Sequence, residues 1–443
     1  MAMGPNDRAT VDRAFPTLSL IVLAAALIGI AVLLFYPTSL KRSLNKEQWT
    51  QDWRTIFLSD RMPDPYPYIV IVAVDPTTRQ LYAENTPTNR AMLADLVTRI
   101  DRAGAAAIGL DIYYWKPTQN DEAYLKALHD VQHADVILAA KYRDALEEQK
   151  QFQSQFLAKS GKKAGYISFD YDQNDFVVRH RSIESDNPDF PLGFSELLAR
   201  AFKPTACVCS TRIAWLAPPR ADMQTFKRLS AREILTTDMS PGSPLTEELK
   251  NRVVLIGTDV PNEDRWRTPL FFDSTRTVPG VEVHAQLVAE LLDGRHIYEL
   301  DRRAERFIIC LLIAVSCYAT WRLRSTRRQL ASWRIAEIPV NWGALTILFL
   351  AVDALAYSQL HVSLPFTVCV AALFVGVTIG HHMRRVLDWV ARLREGRKMR
   401  RLGRGLLLLT MAFAVLAAYT PASFASGGTQ APAPSPSPPP PPP

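Results

Sequence analysis

Cysteine and histidine are scarce in this chain, which has five Cys and eight His among 443 residues. Five cysteines are too few to staple a disulfide-built fold, and Cys310, Cys317 and Cys369 lie inside apolar runs. Cys207 and Cys209 remain; two residues apart on a strand they would share a face, which suits plain packing or a strained, labile disulfide or metal contact. No second His or Cys stands at metal-ligand spacing with His284, which argues against a zinc centre. Neither Gly-x-Ser-x-Gly nor Gly-x-x-x-x-Gly-Lys-[Ser/Thr] occurs. Without a nucleophile elbow or a phosphate loop, enzymatic activity has no positive support and no cofactor is expected.

Acid and base are unevenly spread. The formal charge is +7, which on a globular domain would suggest nucleic acid as a partner. Residues 37–306, however, hold 35 Lys/Arg against 38 Asp/Glu, whereas Arg322–Arg334 holds five Arg and no acid. Arg384–Arg404 holds nine basic residues against two acids. Both basic stretches adjoin apolar runs, the positive-inside signature of cytoplasmic loops, and this excludes nucleic acid as the expected partner.

Long uncharged runs are present. Leu18–Tyr36 carries no charge and as a helix spans roughly 28 Å, the thickness of bilayer hydrocarbon. Tyr36-Pro37-Thr38 is a poor small-residue cleavage site, so an uncleaved anchor is favoured over a signal peptide. Further spans are expected at 307–321, 340–357 and 364–380, the last two forming a hairpin, with a fifth at 405–420. The expected organisation is a cytoplasmic amino terminus (1–17), a first span (18–36), an exposed domain (37–305), basic cytoplasmic loops at 322–339 and 383–404, and a Pro-rich tail (421–443) unable to build a core. Multi-pass membrane insertion follows, with the main domain outside the cytosol.

Within 37–305 the pattern is α/β, a mixed and mainly parallel sheet with flanking helices. Tyr68–Val74 is an unbroken apolar run ending at Asp75. A helix from Arg90 shows apolar residues at 92, 93, 96, 97 and 100 and closes at Gly104; a second apolar run then ends at Asp111. The pattern predicts a helix at 121–133, a strand at 135–140 and a surface excursion over 141–163. It next predicts a hairpin of 165–169 with 176–183 turned through 172–175, and a helix opened by Phe190-Pro191-Leu192. A strand at 212–216, a helix capped by Ser230 with Glu233 at N3, a strand at 252–257 and a helix closing at Gly294 complete the domain.

These residues resemble a family, the type-2 CHASE domain, an extracellular sensory domain of bacterial cyclases and kinases. The resemblance runs from about Tyr66 to Ile297. It rests on Val70–Asp75, Arg102–Asp111, Val253–Thr258, Thr268-Pro269-Leu270 and Pro279–Ala285, with one helix before the domain and three after it. It implies a sensory role in signal transduction. Two departures stand out. Thr86-Pro87-Thr88-Asn89-Arg90 keeps the proline and arginine of an aromatic-Pro-aromatic-x-Arg turn but neither ring, and no stretch after Gly380 is long enough for a kinase, cyclase or phosphodiesterase.

Ligands of open α/β sheets bind outside the carboxyl ends of the strands. The candidate ligand-binding residues are Asp75 and Asp111 at those ends, Asp264 and Thr268 in the loop after the strand at 252–257, Arg90 of the turn kept from the family, and His284 at the start of the last helix. The three carboxylates would meet at one sheet edge if their strands are neighbours; otherwise each caps a helix or pairs with Arg90 or Arg267. His284, beside Glu282, is either a pH-responsive switch or a hydrogen-bonded structural residue. Asp353, within the third span, either snorkels or pairs, and is a candidate for transmembrane coupling.

The sequence thus predicts a membrane-anchored extracytoplasmic sensor of a small-molecule or ionic signal. Its expected partners are the lipid bilayer, that ligand, a separate cytoplasmic signalling protein and a second copy of the chain. The alternatives are a structural or scaffold protein of the envelope without a small ligand, and a carboxylate-dependent envelope hydrolase.

Overall fold

A computed structural model describes residues 22–31, 33, 46–82, 88–141, 145–171, 175–182, 189–220, 223–261, 263–271, 276–326 and 337–393. The chain divides into two compact units, Leu44–Leu300 with Leu350–Phe366, and Met1–Ser43 with Asp301–Phe349 and Thr367–Pro443. The expected segments 1–17, 405–420 and 421–443 lie outside the described residues, as do parts of 18–36, 322–339 and 383–404.

The first unit is built on a six-stranded, wholly parallel sheet. Its strands are β1 (Tyr66–Val74), β2 (Ala107–Asp111), β3 (Asp135–Ala140), β4 (Lys163–Tyr166), β7 (Phe226–Ser230) and β8 (Val253–Thr258), in the order β4-β3-β2-β8-β1-β7. From Ile69 to Val74 every side chain of β1 is buried. A strand apolar on both faces cannot sit at an edge next to water, and here β8 and β7 flank it. The inserted β8 makes β1, β8 and β2 neighbours, with their carboxyl ends on one edge.

Helices named here are α1 (Lys46–Leu58), α2 (Arg90–Arg102), α3 (Glu147–Ser160), α4 (Phe194–Phe202) and α5 (Gly280–Asp293). The Asn89 side chain caps α2 by accepting from Met92 N, and the helix gives way to Gly104 at φ +81°. Met92, Leu93, Leu96, Val97 and Ile100 pack on one sheet face with Val70, Val72, Ile108, Leu110, Val254 and Ile256. Phe194, Leu198, Val281, Ala285 and Val288 of α4 and α5 cover the other face against Ile69, Ile71, Val253 and Leu255. The result is a doubly wound sheet.

Four local expectations need correction. The stretch 141–163 is no plain surface excursion, because α3 buries Gln153, Phe156, Leu157 and Ser160, and Gln153 bonds both backbone groups of Lys141. The hairpin is shorter than predicted: β5 (Phe169–Tyr171) pairs antiparallel with β6 (Val178–Arg181), while 163–166 joins the main sheet as β4. Residues 212–216 form no named strand, Arg212 making only an isolated bridge to His180. The helix expected over 121–133 stops at His129. The Ser230 cap does form, its side chain accepting from Arg232 N.

Among the described residues three helices are long and apolar enough to cross a membrane, over Arg302–Arg322, Ile338–Leu360 and Phe366–Met383, the middle one having residues in both units. As elements they extend further than predicted, over Arg302–Thr326, Glu337–Leu360 and Phe366–Leu393. Of the first expected span, Val22–Ala31 is an apolar helix. Ile309, Cys310, Val368 and Ala372 form a cluster against Ile30 and Leu33. Phe307, Leu311, Val315, Ile347 and Leu348 are exposed, as residues facing lipid would be.

Candidate functional site

The carboxyl edge of the sheet opens into a cavity of about 320 Å³. Asp111 ends β2 at this edge, and its side chain is only 6% exposed. His284, near the start of α5, stands opposite with Nε2 at 3.9 Å from Asp111 Oδ1. Behind it Ser195 Oγ lies 2.8 Å from His284 Nδ1, and Phe169 and Phe194 pack on the ring at 4.6 and 5.0 Å between centroids. With Ser195 donating to Nδ1, the Nε2–H tautomer faces Asp111.

Asp264 completes the acidic side of the cavity. It sits in the loop after β8 at φ +45°, a left-handed position that Asp tolerates. Trp266 Nε1 donates to its Oδ1 at 2.8 Å and Gly280 N donates to its carbonyl at 3.0 Å. A side chain at position 280 would collide with the Asp264 carboxylate, so only glycine lets the α5 start approach so closely. Tyr113, Trp115, Phe169, Tyr171 and Trp266 supply aromatic wall, and Lys141 extends from the end of β3. At the rim Arg79 grips Glu263 with two bonds of 2.8 and 2.5 Å, holding the Glu263 carboxyl below its usual range.

Burial pushes the Asp111 carboxyl well above the usual carboxylate range, and the nearby Asp264 charge adds to this. Enclosure also raises Asp264, against the Trp266 bond and the Lys141 charge; because the residue stays open to solvent on one side, this is the weaker effect. Burial alone drives His284 down to about 3. At 3.9 Å, and with both partners pushed towards neutrality, the Asp111–His284 contact is a neutral approach, not an ion pair.

The structure brings together Asp111, Asp264 and His284 of the six predicted ligand-binding residues. Asp75 turns away: its Oδ1 accepts from Thr78 N, Thr78 Oγ1 and Thr77 Oγ1 at 2.7, 2.8 and 2.8 Å, capping the turn Pro76–Arg79. Arg90 is buried, its guanidinium 4.6 Å from the Tyr114 ring centre and 5.6 Å from that of Phe156, with Asp121 at 3.3 Å. Rings from elsewhere in the chain thus supply the stacking that residues 86 and 88 do not. Thr268 is buried before the turn Pro269–Phe271 and is not among the residues lining the cavity.

Sequence reasoning missed Lys141, Trp266, Ser195 and the aromatic wall. Lys141 had a usable signal, since it directly follows an apolar strand as Asp75 and Asp111 do. Trp266 had a weaker one in its distance of two residues from Asp264. The Ser195–His284–Asp111 row superficially suggests a hydrolase. Its order is wrong for one, because the buried Ser195 supports the ring from behind and does not line the cavity.

A chain of buried ion pairs runs from the cavity wall to α1. Phe169 and Tyr171 line the cavity on β5. From the paired β6, Arg179 binds Asp52 of α1 at 2.6 Å and Asp175 at 2.6 Å. Two residues further along α1, Arg54 binds Asp353 at 2.8 Å and Ser363 at 3.2 Å, and Thr55 Oγ1 lies 3.5 Å from the Tyr357 hydroxyl. Asp353 therefore pairs, and does not snorkel.

A family model described as the CHASE2 domain matches residues 24–319. The chain belongs to the CHASE2 family. No curated protein and no solved structure matches it. CHASE2 is a sensory extracellular domain family, and among the described residues of this member three helices are suited to crossing a membrane. The sheet-edge cavity is the candidate ligand site of this CHASE2 domain.

The His284 environment gives a pH test of this CHASE2 fold. Its folded pKa, about 3, lies below the unfolded value of 6.5, so the unfolded chain binds the extra proton. The His284 contribution to stability is intact above the unfolded pKa and is lost as pH falls from about 6.5 towards 3. Asp111 acts in the opposite sense and is common to wild type and variant. Between about pH 7 and 4, the urea midpoint of His284→Gln is expected to fall less than that of wild type. Equal slopes would show that His284 titrates normally in the folded state.

Proposed function

We propose that this chain is a plasma-membrane sensor that reads a small extracytoplasmic ligand in the sheet-edge cavity and passes the event to a separate cytoplasmic partner. A ligand shifts the domain between two arrangements only by its differential affinity for them. Ligand contacts with Phe169 and Tyr171 act on β5, and β5 carries β6 and Arg179 with it. The observation that carries this reading is the two buried ion pairs of α1, Asp52 with Arg179 of β6 and Arg54 with Asp353 of an apolar helix. Buried ion pairs suit such a role because they specify one arrangement more than they add stability.

The test is a thermal-shift screen of the full chain in detergent micelles against metabolites and ions of the growth medium, followed by hydrogen exchange on any hit. At least one compound is expected to raise the melting temperature and to slow exchange in α1, and Asp52→Asn is expected to abolish the change in α1 while leaving binding in place. If nothing binds and α1 never responds, the envelope-scaffold alternative replaces this reading.

A further inference from the structure

Asp111 Oδ2 is sealed from solvent and has no hydrogen-bond partner among the described residues. Leaving such an acceptor unmatched is costly, and neither cationic side chain of the wall bonds it. Arg79 is held by Glu263, and Lys141 Nζ lies 5.5 Å from the Tyr113 ring centre. Asp264, the second carboxylate, faces the same space. The cavity therefore presents two carboxyl groups at its floor, with aromatic faces along its side. Trp266 packs edge-on against Phe169 at 5.3 Å and lies 5.6 Å from Tyr171.

Two kinds of cation answer that description. A bare metal ion needs several oxygen or nitrogen ligands converging on one point, and no group of three or more His, Cys, Asp and Glu among the described residues is arranged for that. An ammonium needs acceptors on one side and gains from ring faces on the other. We infer that the cavity takes a small organic cation, a primary ammonium on a short apolar or aromatic body. Its N–H groups donate to the Asp111 and Asp264 carboxylates that line the cavity, and its body lies along Trp266, Phe169 and Tyr171. This deepens the sensing role proposed above and rests on the same cavity.

The assignment carries a proton signature. The titratable groups facing Asp111 are Asp264, His284, Lys141 and Tyr113, with Arg79 and Glu263 at the rim. Burial pushes the Asp111 carboxyl towards its protonated form and an ammonium favours the ionised one, so binding releases protons and tightens as pH rises.

The experiment is calorimetric titration of the full chain in micelles with three probes of one shape, tyramine, 4-hydroxyphenylacetate and 4-propylphenol, and with Mg²⁺ and Ca²⁺. Tyramine is expected to bind at least about tenfold more tightly than the others, with proton release visible as a dependence of the heat on buffer ionisation enthalpy. Asp111→Asn is expected to weaken tyramine by more than about tenfold. Should that variant fail to fold, Tyr171→Ala, on the exposed part of the wall, is expected to weaken tyramine severalfold with the melting temperature unchanged. Absence of tyramine binding, equal binding of the carboxylate or the neutral probe, or tight binding of a metal ion overturns the inference. If another charge class binds and is sensitive to Tyr171→Ala, the ammonium assignment falls and the sensing reading survives.

Discussion

Replacing Arg179 by alanine is expected to lower the stability of the sensory unit by about 3–5 kcal/mol. Asp52 is fully buried and its pKa is raised by that burial, with the Arg179 hydrogen bonds opposing the rise. Three of those bonds, of 2.9, 3.2 and 2.6 Å, reach the Asp52 carboxylate. Without the guanidinium, Asp52 must either stay ionised in a dry site or take up a proton, and both are costly. For a unit of this size the loss corresponds to a melting temperature lower by roughly 6–20 °C. Replacing both partners with apolar residues, Asp52→Leu with Arg179→Met, is expected to recover much of the loss, because no buried charge is then stranded. A single variant that melts within a degree or two of wild type would show that water reaches the pair.

Gly165→Ala is expected to cost about 3 kcal/mol or more, the upper end of overpacking effects. A methyl group at this position would sit 2.5 Å from Phe194 N, 2.7 Å from Phe194 Cα and 2.8 Å from Gly193 C. These are backbone atoms, so no rotamer change relieves the clash; β4 and the start of α4 must separate. That start carries Phe194 and Ser195, the edge-on ring and the hydroxyl that hold His284. The variant is therefore expected to lose cavity binding along with stability. Chemical denaturation of the full chain, with binding measured below the transition, checks both effects; a variant of normal stability would mean that α4 can withdraw from the sheet without penalty.

Sequence legibility followed burial. Strands β1, β2, β3 and β8 are apolar on both faces and were visible for that reason. Edge strand β7 was not, because only Phe226 and Leu229 of Phe-Lys-Arg-Leu-Ser are buried. Helix α3 hid because half of its buried face is polar, Gln153 and Ser160 being satisfied by backbone groups. At the site, the carboxyl-edge rule pointed to Asp111, the loop after an apolar strand to Asp264, and the start of the last helix to His284. Asp75 obeyed the same rule yet caps its own turn, a choice made locally by Thr77 and Thr78. The Arg54–Asp353 pair joins residues 299 apart in sequence, and nothing local to either announces the other. A lone acid in an apolar run says that a partner exists without saying where.

The split of the chain into units bears on how the sensory part can be isolated. Leu350–Phe366 belongs with Leu44–Leu300, and there Tyr298 and Glu299 pair in parallel with Val362 and Ser363. A gene cut after Leu300 would therefore yield a protein with an amputated seam: Arg54 would lose Asp353 and Ser363, and Thr55 would lose Tyr357. Preparing a water-soluble version calls for grafting the segment from 350 to 366 back through a linker, or for refitting the orphaned patch of α1 with residues content to face water.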